Sequence, residues 1–464
     1  MKLLVTAFHY TKGISFIYLR YCNESMSQVT FRRYSLGDEE GIVKVMNEAF
    51  STFKNFGLTP EVWKSYAEID EGFKLENALV AELEHKIVGH VQLVERDLKV
   101  GERTFVKNGG IANVCTLPKA RGKGVSTGLM KLAVEISKEN GYPMSTLFTG
   151  YGGVAHRVYR SVGYADTFFP PYLVGSVEEM KLLQDRTRDV EGVKIRDFKD
   201  DDEEKLLDVY ELSSTYYTGV VRRTKKYWRK KLTERSSTHS FFFEKFDPDE
   251  VIVAEENGEV TGYSYLTFWK RKEKPFQSTE NGSIREIVFK PGCYRTFLKL
   301  VNESINRMLS EGVKTLNLSI PFDRDYLTLF DDFKVFVTEG IFMTNITNMN
   351  LLIDSMEEEF NERLSSDIEG VTSNVSFNLK TLYGSVPIRI KGGEVQVKEE
   401  SSEAEVEINY HSFTRMVFGI ETFSEAITNK KARVKGVENI QQIVSTLDIM
   451  FPQMVWHIWP VDHW

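Results

Sequence analysis

The clearest pattern in the chain is a change of hydrophobic period on either side of a basic, glycine-rich turn. Residues 111–115 (Ile-Ala-Asn-Val-Cys) are mostly apolar and predict a short strand. Residues 125–140 carry Leu129, Leu132, Ala133 and Ile136 at helical spacing, and Gly141 follows where a helix commonly ends. Upstream, residues 78–83 and 87–93 are apolar runs joined by Glu84-His85-Lys86, which predicts a β-hairpin. Val29-Thr30-Phe31 predicts a first strand, and residues 38–50 a helix with acids in its first turn. A second helix starts at Thr59-Pro60, with Thr59 as N-cap and proline at the first helical position. Downstream come a strand at 144–148 and a short helix at 156–162 closed by Gly163-Tyr164.

A weaker copy of this order begins near Val190. Residues 193–198 resemble the first strand, and residues 251–263 repeat the hairpin, with Gly262 in the place of Gly89. Where the basic turn should recur, residues 284–295 supply the strand without the glycine-rich loop. This predicts a duplication whose second copy has lost ligand binding. A third unit begins near Thr347, with a strand expected at 350–354, a helix at 355–364, alternating strands at 394–397 and 404–408, and a helix at 410–419. The chain closes on Phe451, Trp456, Trp459 and Trp464, too much aromatic surface for a frayed tail.

Length supports this division, since 464 residues suggest about three domains. A net charge of −8 argues against a nucleic-acid partner and suits cationic substrates. Cys22, Cys115 and Cys293 lie far apart, with no metal-ligand spacing and no disulfide framework, as in a reducing cytoplasm. No apolar run reaches membrane-spanning length. Residues 1–25 begin like a signal peptide but are interrupted by His9-Tyr10-Thr11-Lys12, with no small-residue cleavage site; a disordered extension ahead of Met26 is expected.

The turn itself carries chemistry. Val114-Cys115-Thr116 leads through Leu117-Pro118-Lys119-Ala120 into Arg121-Gly122-Lys123-Gly124-Val125-Ser126-Thr127. Backbone N–H groups at a helix N-terminus, with the dipole behind them, form a diphosphate site. Gly122 and Gly124 let the backbone approach the phosphates, and Arg121 and Lys123 add charge. Neither P-loop nor dinucleotide spacing fits. The segment resembles the GNAT acetyltransferase signature, Arg/Gln-x-x-Gly-x-Gly/Ala after a strand, with Ser126 at the final small position. That resemblance implies acetyl-CoA as co-substrate and no metal. It assigns pantetheine contacts to Val114, Cys115 and Thr116, the pyrophosphate to residues 121–127, and a further contact to Val154 and Ala155. Cys115 has no base near it in sequence, and its alternation suggests packing rather than nucleophilic catalysis.

The three-part order, the run Ser412-Phe413-Thr414-Arg415-Met416-Val417-Phe418-Gly419 and the ending Trp459-Pro460-Val461-Asp462-His463-Trp464 are similar to the Eis (enhanced intracellular survival) acetyltransferases. The implied fold is α/β (α+β): a catalytic GNAT domain at 26–180, a degenerate GNAT-like domain at 190–345, and a sterol-carrier-protein-like α+β domain at 346–464. The resemblance implies a cytoplasmic homo-oligomer, hexameric in that family, acetylating primary amines of aminoglycoside- or polyamine-like compounds. Rival readings are a protein lysine or N-terminal acetyltransferase, and a lipid-binding or scaffold protein built on the third unit. The family places its general acid at Tyr159, five residues before Tyr164. A phenol near pKa 10 donates to a thiolate near 8.5 only about two units uphill, and a lowered Tyr159 pKa would close that gap. It places the terminal carboxylate, here of Trp464, in the active site as the base.

Overall fold

The computed structural model describes residues 29–233, 248–271, 280–337, 340–397, 402–437 and 439–464. The expected extension at 1–25 lies outside them. The first unit opens with β1 (Thr30–Arg33), α1 (Glu39–Ala49), α2 (Ser51–Phe56) and α3 (Pro60–Ile69). Thr59 caps α3, its hydroxyl accepting from Val62 N–H at 3.3 Å, as the Thr-Pro pair predicts. The hairpin is longer than its apolar runs: β2 (Phe73–Leu83) and β3 (Lys86–Lys99) turn through Glu84 and His85, both at positive φ. Then follow β4 (Phe105–Thr116), α4 (Val125–Glu139), β5 (Met144–Gly150), α5 (Val154–Ser161) and β6 (Ala165–Phe168).

The second unit is built from β7 (Pro171–Ser176), α6 (Val177–Arg186), β8 (Val193–Asp197), α7 (Glu203–Ser213), β9 (Tyr217–Thr218), α8 (Lys225–Tyr227), β10 (Val251–Glu256), β11 (Glu259–Phe268), β12 (Asn281–Phe289), α9 (Tyr294–Ser310), β13 (Thr315–Leu318), α10 (Arg324–Leu327) and β14 (Lys334–Val337). Next comes β15 (Gly340–Ile346).

The two seven-stranded sheets have one topology. The first runs β1-β2-β3-β4-β5-β15-β6, and the second, read from its other edge, β8-β10-β11-β12-β13-β7-β14. Their sixth strands are exchanged. β15, from the end of the second unit, pairs with β5 and β6, while β7, from the end of the first, pairs with β13 and β14. The sheets therefore do not part at the sequence boundary expected between residues 180 and 190. A linear reading of hydrophobic runs carries no information about which sheet a late strand joins. The matched glycines serve one purpose in both copies. A Cβ at Gly89 would lie 2.5 Å from Val125 Cγ1 on α4, and one at Gly262 2.6 Å from Thr296 Cγ2 on α9. Each lets the first turn of the crossing helix rest on the sheet.

The third unit holds α11 (Met349–Ser355), α12 (Glu357–Ser365), α13 (Ile368–Thr372), β16 (Asn374–Thr381), β17 (Gly384–Lys391), β18 (Glu394–Val397), β19 (Glu405–Ile408), α14 (Tyr410–Val417), α15 (Phe423–Thr428), β20 (Ala432–Lys435), α16 (Ile440–Met450) and β21 (Val455–Trp456). The strand expected at 350–354 is helical. Asn348 Oδ1 caps its first turn at 3.1 Å from Leu351 N–H, and Met349, Leu352 and Ile353 bury one helical face. One core joins this unit to the first sheet, with Phe342 and Met144 packed among Phe360, Phe413, Phe418 and Trp456. Three of the four expected aromatics, Phe451, Trp456 and Trp459, are buried and Trp464 is half-buried; Trp456 packs on Phe168 and Phe342 at 4.6 and 5.0 Å.

Candidate active site

β4 and β5 part company in mid-sheet. They pair in parallel only over Asn108–Met144, Gly109–Ser145 and Gly110–Thr146. Beyond Gly110, β4 stays with β3 through a register shift between His90 and Gln92, and Asn113 takes a positive φ of 56°. β5 stays with β15 to its end. The inner edges of Val114, Cys115 and Thr116 therefore have no strand partner from β5, so backbone groups on that side are open to a ligand.

The loop after β4 completes the site. Pro118–Ala120 forms one 3-10 turn, and Gly122 and Gly124 adopt φ of 77° and 76°, a region open chiefly to glycine. Gly124 stands at the N-cap of α4 with no side chain capping it. First-turn N–H groups of a helix have no carbonyl four residues back, so those at Val125, Ser126 and Thr127 are available to an anion. Ser126 Oγ lies 2.9 Å from Thr116 Oγ1, which ties the helix start to the strand end.

A cavity of about 440 Å³ runs along this loop to α5. Its lining includes Val114, Cys115, Thr116, Arg121, Gly122, Gly124, Val125, Ser126, Thr127, Val154, Ala155 and Tyr159. Lys123, expected among the cofactor contacts, is exposed and outside the lining. Ala49, Phe50, Ala120 and Val158 also line it and were not anticipated; nothing in the sequence shows that the end of α1 folds back onto this loop. The open loop donors, the two glycines and the apolar walls fit the pyrophosphate and pantetheine parts of an acyl-CoA.

Tyr159 projects from α5 and is 6% exposed, with its ring 6.2 Å from that of Tyr164. Tyr164 is locked in the core, its hydroxyl 2.7 Å from Ser145 Oγ. Among the described residues the Tyr159 hydroxyl has no hydrogen-bond partner. Burial, and then the nearby Cys115 thiol, pushes its pKa up rather than down, so the phenol stays protonated at neutral pH while the uphill gap to a thiolate widens instead of closing. α5 is anchored by His156, whose Nε2 is 2.7 Å from Asp166 Oδ1 and whose Nδ1 accepts from Gly152 N–H at 3.3 Å. Cys115 is buried, its Sγ donates to His90 O at 3.7 Å, and burial raises its pKa, which keeps it a thiol and a packing residue.

Trp464 lies outside the cavity lining but at the parting of the strands. Its indole covers Gly110 and packs near Phe148, with ring centroids 5.9 Å apart, while His463 stacks on Phe148 at 4.4 Å. The Trp464 Nε1 is buried and unpartnered.

Residues 30–166 match the acetyltransferase (GNAT) domain family. This segment is a GNAT acetyltransferase domain. The protein is accordingly an acyltransferase enzyme. No curated protein matches the sequence. Among solved structures, the chain is similar to a probable N-acyltransferase from Enterococcus faecalis, with TM-score 0.68, 14% identity, and 95% of this chain and 100% of that one covered. A GCN5-related N-acetyltransferase from Anabaena variabilis gives TM-score 0.66 at 14% identity, covering 94% of this chain and 100% of that one. Eis1 from Mycobacterium abscessus gives 0.59 at 14% identity, with 94% and 100% covered. At such identity the likeness is one of fold, and it extends through all three units, well beyond the GNAT domain. Among the described residues, no helix is long and apolar enough to cross a membrane, and no group of three or more His, Cys, Asp or Glu side chains is placed to hold a metal ion.

Proposed function

We propose that the protein transfers acetyl from acetyl-CoA to a primary amine of a small polycationic compound, by direct attack of the amine on the thioester. The observation that carries this reading is the single cavity wall shared by the GNAT loop, the free edge of β4 and Tyr159. The amine nitrogen forms the new bond to the acetyl carbon, the carbon–sulfur bond breaks, and two proton transfers balance the exchange. Tyr159 holds a proton at Oη and gives it to the departing sulfur; its raised pKa keeps that proton in place in the resting enzyme. The main-chain carboxylate of Trp464, carried on a residue seated against Gly110, takes the proton from the amine, directly or through a water.

N–H donors of β4 and the first turn of α4 hold and orient the acyl donor, which brings the entropic advantage of proximity. The overall charge of −8 favours a cationic acceptor. With this reading go a cytoplasmic homo-oligomer and a sterol-carrier-like third unit, which rest on the sequence resemblance of residues 412–419 and 459–464 to the Eis acetyltransferases. The test is release of free CoA thiol from acetyl-CoA across a panel of amines, with the acetylated product weighed by mass spectrometry. Thiol release that no amine accelerates would remove the proposal.

A further inference from the structure

Two residues before Trp464, Asp462 is held by a buried network that the chemistry above does not use. Asp462 is fully buried. Its carboxylate accepts from Arg223 Nε at 3.0 Å, Arg223 Nη2 at 2.7 Å, the Tyr227 hydroxyl at 2.9 Å and the Tyr210 hydroxyl at 3.5 Å. Arg223 is itself 2% exposed and lies 3.9 Å over the Tyr210 ring. Its other edge donates to Glu286 on β12, with Nη1 at 2.8 Å, and Glu286 accepts from Tyr263 as well. On the first sheet, Arg96 of β3 forms a buried pair with Asp70 at 2.6 and 2.9 Å and sits 5.5 Å from the Tyr227 ring. Asp462 is thus gripped directly by Arg223 and Tyr227, which are backed in turn by Glu286 of the second sheet and by Arg96 of the first.

We propose that Arg223 is a positioning residue: by gripping Asp462 in a planar, two-point pair, it fixes the last two residues so that Trp464 rests on Gly110. The inference deepens the proposed base role of Trp464 and rests on it. Several features of the pair suit location rather than simple adhesion. A guanidinium binding a carboxylate at two points fixes direction as well as distance. Two residues of extended chain span at most about 7 Å, so holding Asp462 confines Trp464 to a small volume. The anchor is also built from the second, loop-less unit, which gives that copy a part in the first unit's chemistry without binding a cofactor of its own.

The experiment is a cycle between Asp462→Asn and deletion of Trp464 in the full chain, read as kcat, KM for the amine and affinity for acetyl-CoA. Asn keeps the shape of the side chain and removes the charge that pairs with Arg223. Misplacing a reacting group by about 1 Å is enough for a loss of about 10²-fold. The expected result is a fall in kcat of that order for Asp462→Asn, with acetyl-CoA affinity unchanged, and no further fall when the substitution is made in the chain lacking Trp464. Arg223→Lys, which keeps the charge and loses the two-point geometry, should lower kcat likewise and provides the second variant if Asp462→Asn fails to fold. Wild-type kcat in a folded Asp462→Asn or Arg223→Lys protein overturns the positioning role alone. An Asp462→Asn loss that recurs in full without Trp464 does the same. Full turnover by the chain lacking Trp464 overturns the base assignment, and the positioning role with it.

Discussion

Trp464 Nε1 occupies the space that a side chain at Gly110 would need: a Cβ there would lie 2.6 Å from it. The last residue of the chain and a glycine more than 350 positions earlier are therefore matched in shape. Gly110→Val should expel the indole from the strand parting and lower kcat by about 10-fold or more while acetyl-CoA affinity holds. Steady-state kinetics with calorimetry on the same preparation checks this; unchanged kcat would mean that Trp464 only fills space.

Gly124→Glu should abolish acetyl-CoA binding. The carboxylate would face the pyrophosphate, and the positive φ of 76° adds backbone strain of about 1 kcal/mol for any non-glycine residue. Gly124→Ala carries the strain without the charge and should bind more weakly than wild type yet detectably. Titration calorimetry should find one site per chain, since the segment from Lys290 to Cys293 that follows β12 lacks the basic glycine-rich loop. Two sites per chain would contradict the account.

Tyr159→Phe should reduce kcat by about 10²-fold or more with little change in acetyl-CoA affinity. Because burial holds the Tyr159 pKa above its ordinary value, the wild-type rate should show no loss from phenol ionisation up to at least pH 9. A descending limb between pH 7 and 9 that disappears in Tyr159→Phe would contradict the protonated-donor role.

Stability should fall in mild acid. Burial lowers His90 to about 4 and His457 to about 3, each from an ordinary 6.5. The unfolded chain then binds protons that the folded one refuses, so stability is lost as pH falls from about 6.5 toward 4, by up to about 3 kcal/mol for His90. Melting temperatures from pH 7 to 4.5 check the sign, and His90→Gln should flatten the dependence. A wild-type melting temperature that stays level or rises in acid would rule this out.

Much of the first unit is written locally. Thr59-Pro60, the Glu84-His85 turn and the helix from Val125 to Glu139 depend on residues within a few positions of one another, and each appears where its pattern predicts. The glycine turn ahead of that helix was legible for the same reason, with Gly122 and Gly124 both at positive φ. What local pattern could not carry is pairing at long range. The exchange of β7 and β15 between sheets is set by tertiary packing, as is the folding of Phe50 onto the cavity beside the glycine-rich loop. Residues 350–354 misled because a short apolar run fits a strand or a buried helix, and the Asn348 cap decided for the helix. The Arg223–Asp462 pair joins residues 239 positions apart and has no signature in sequence at all.

The central claim is amine acetylation at the first unit's loop, and amine-dependent release of CoA thiol measures it most directly. Wild-type protein with acetyl-CoA and a polyamine should release one thiol per acetyl group gained. Rates should be higher than with a mono-amine at low salt, and that advantage should shrink as salt rises. Gly124→Glu should release no thiol above background. Thiol release that is indifferent to amine, or that persists undiminished in Gly124→Glu, would contradict the account.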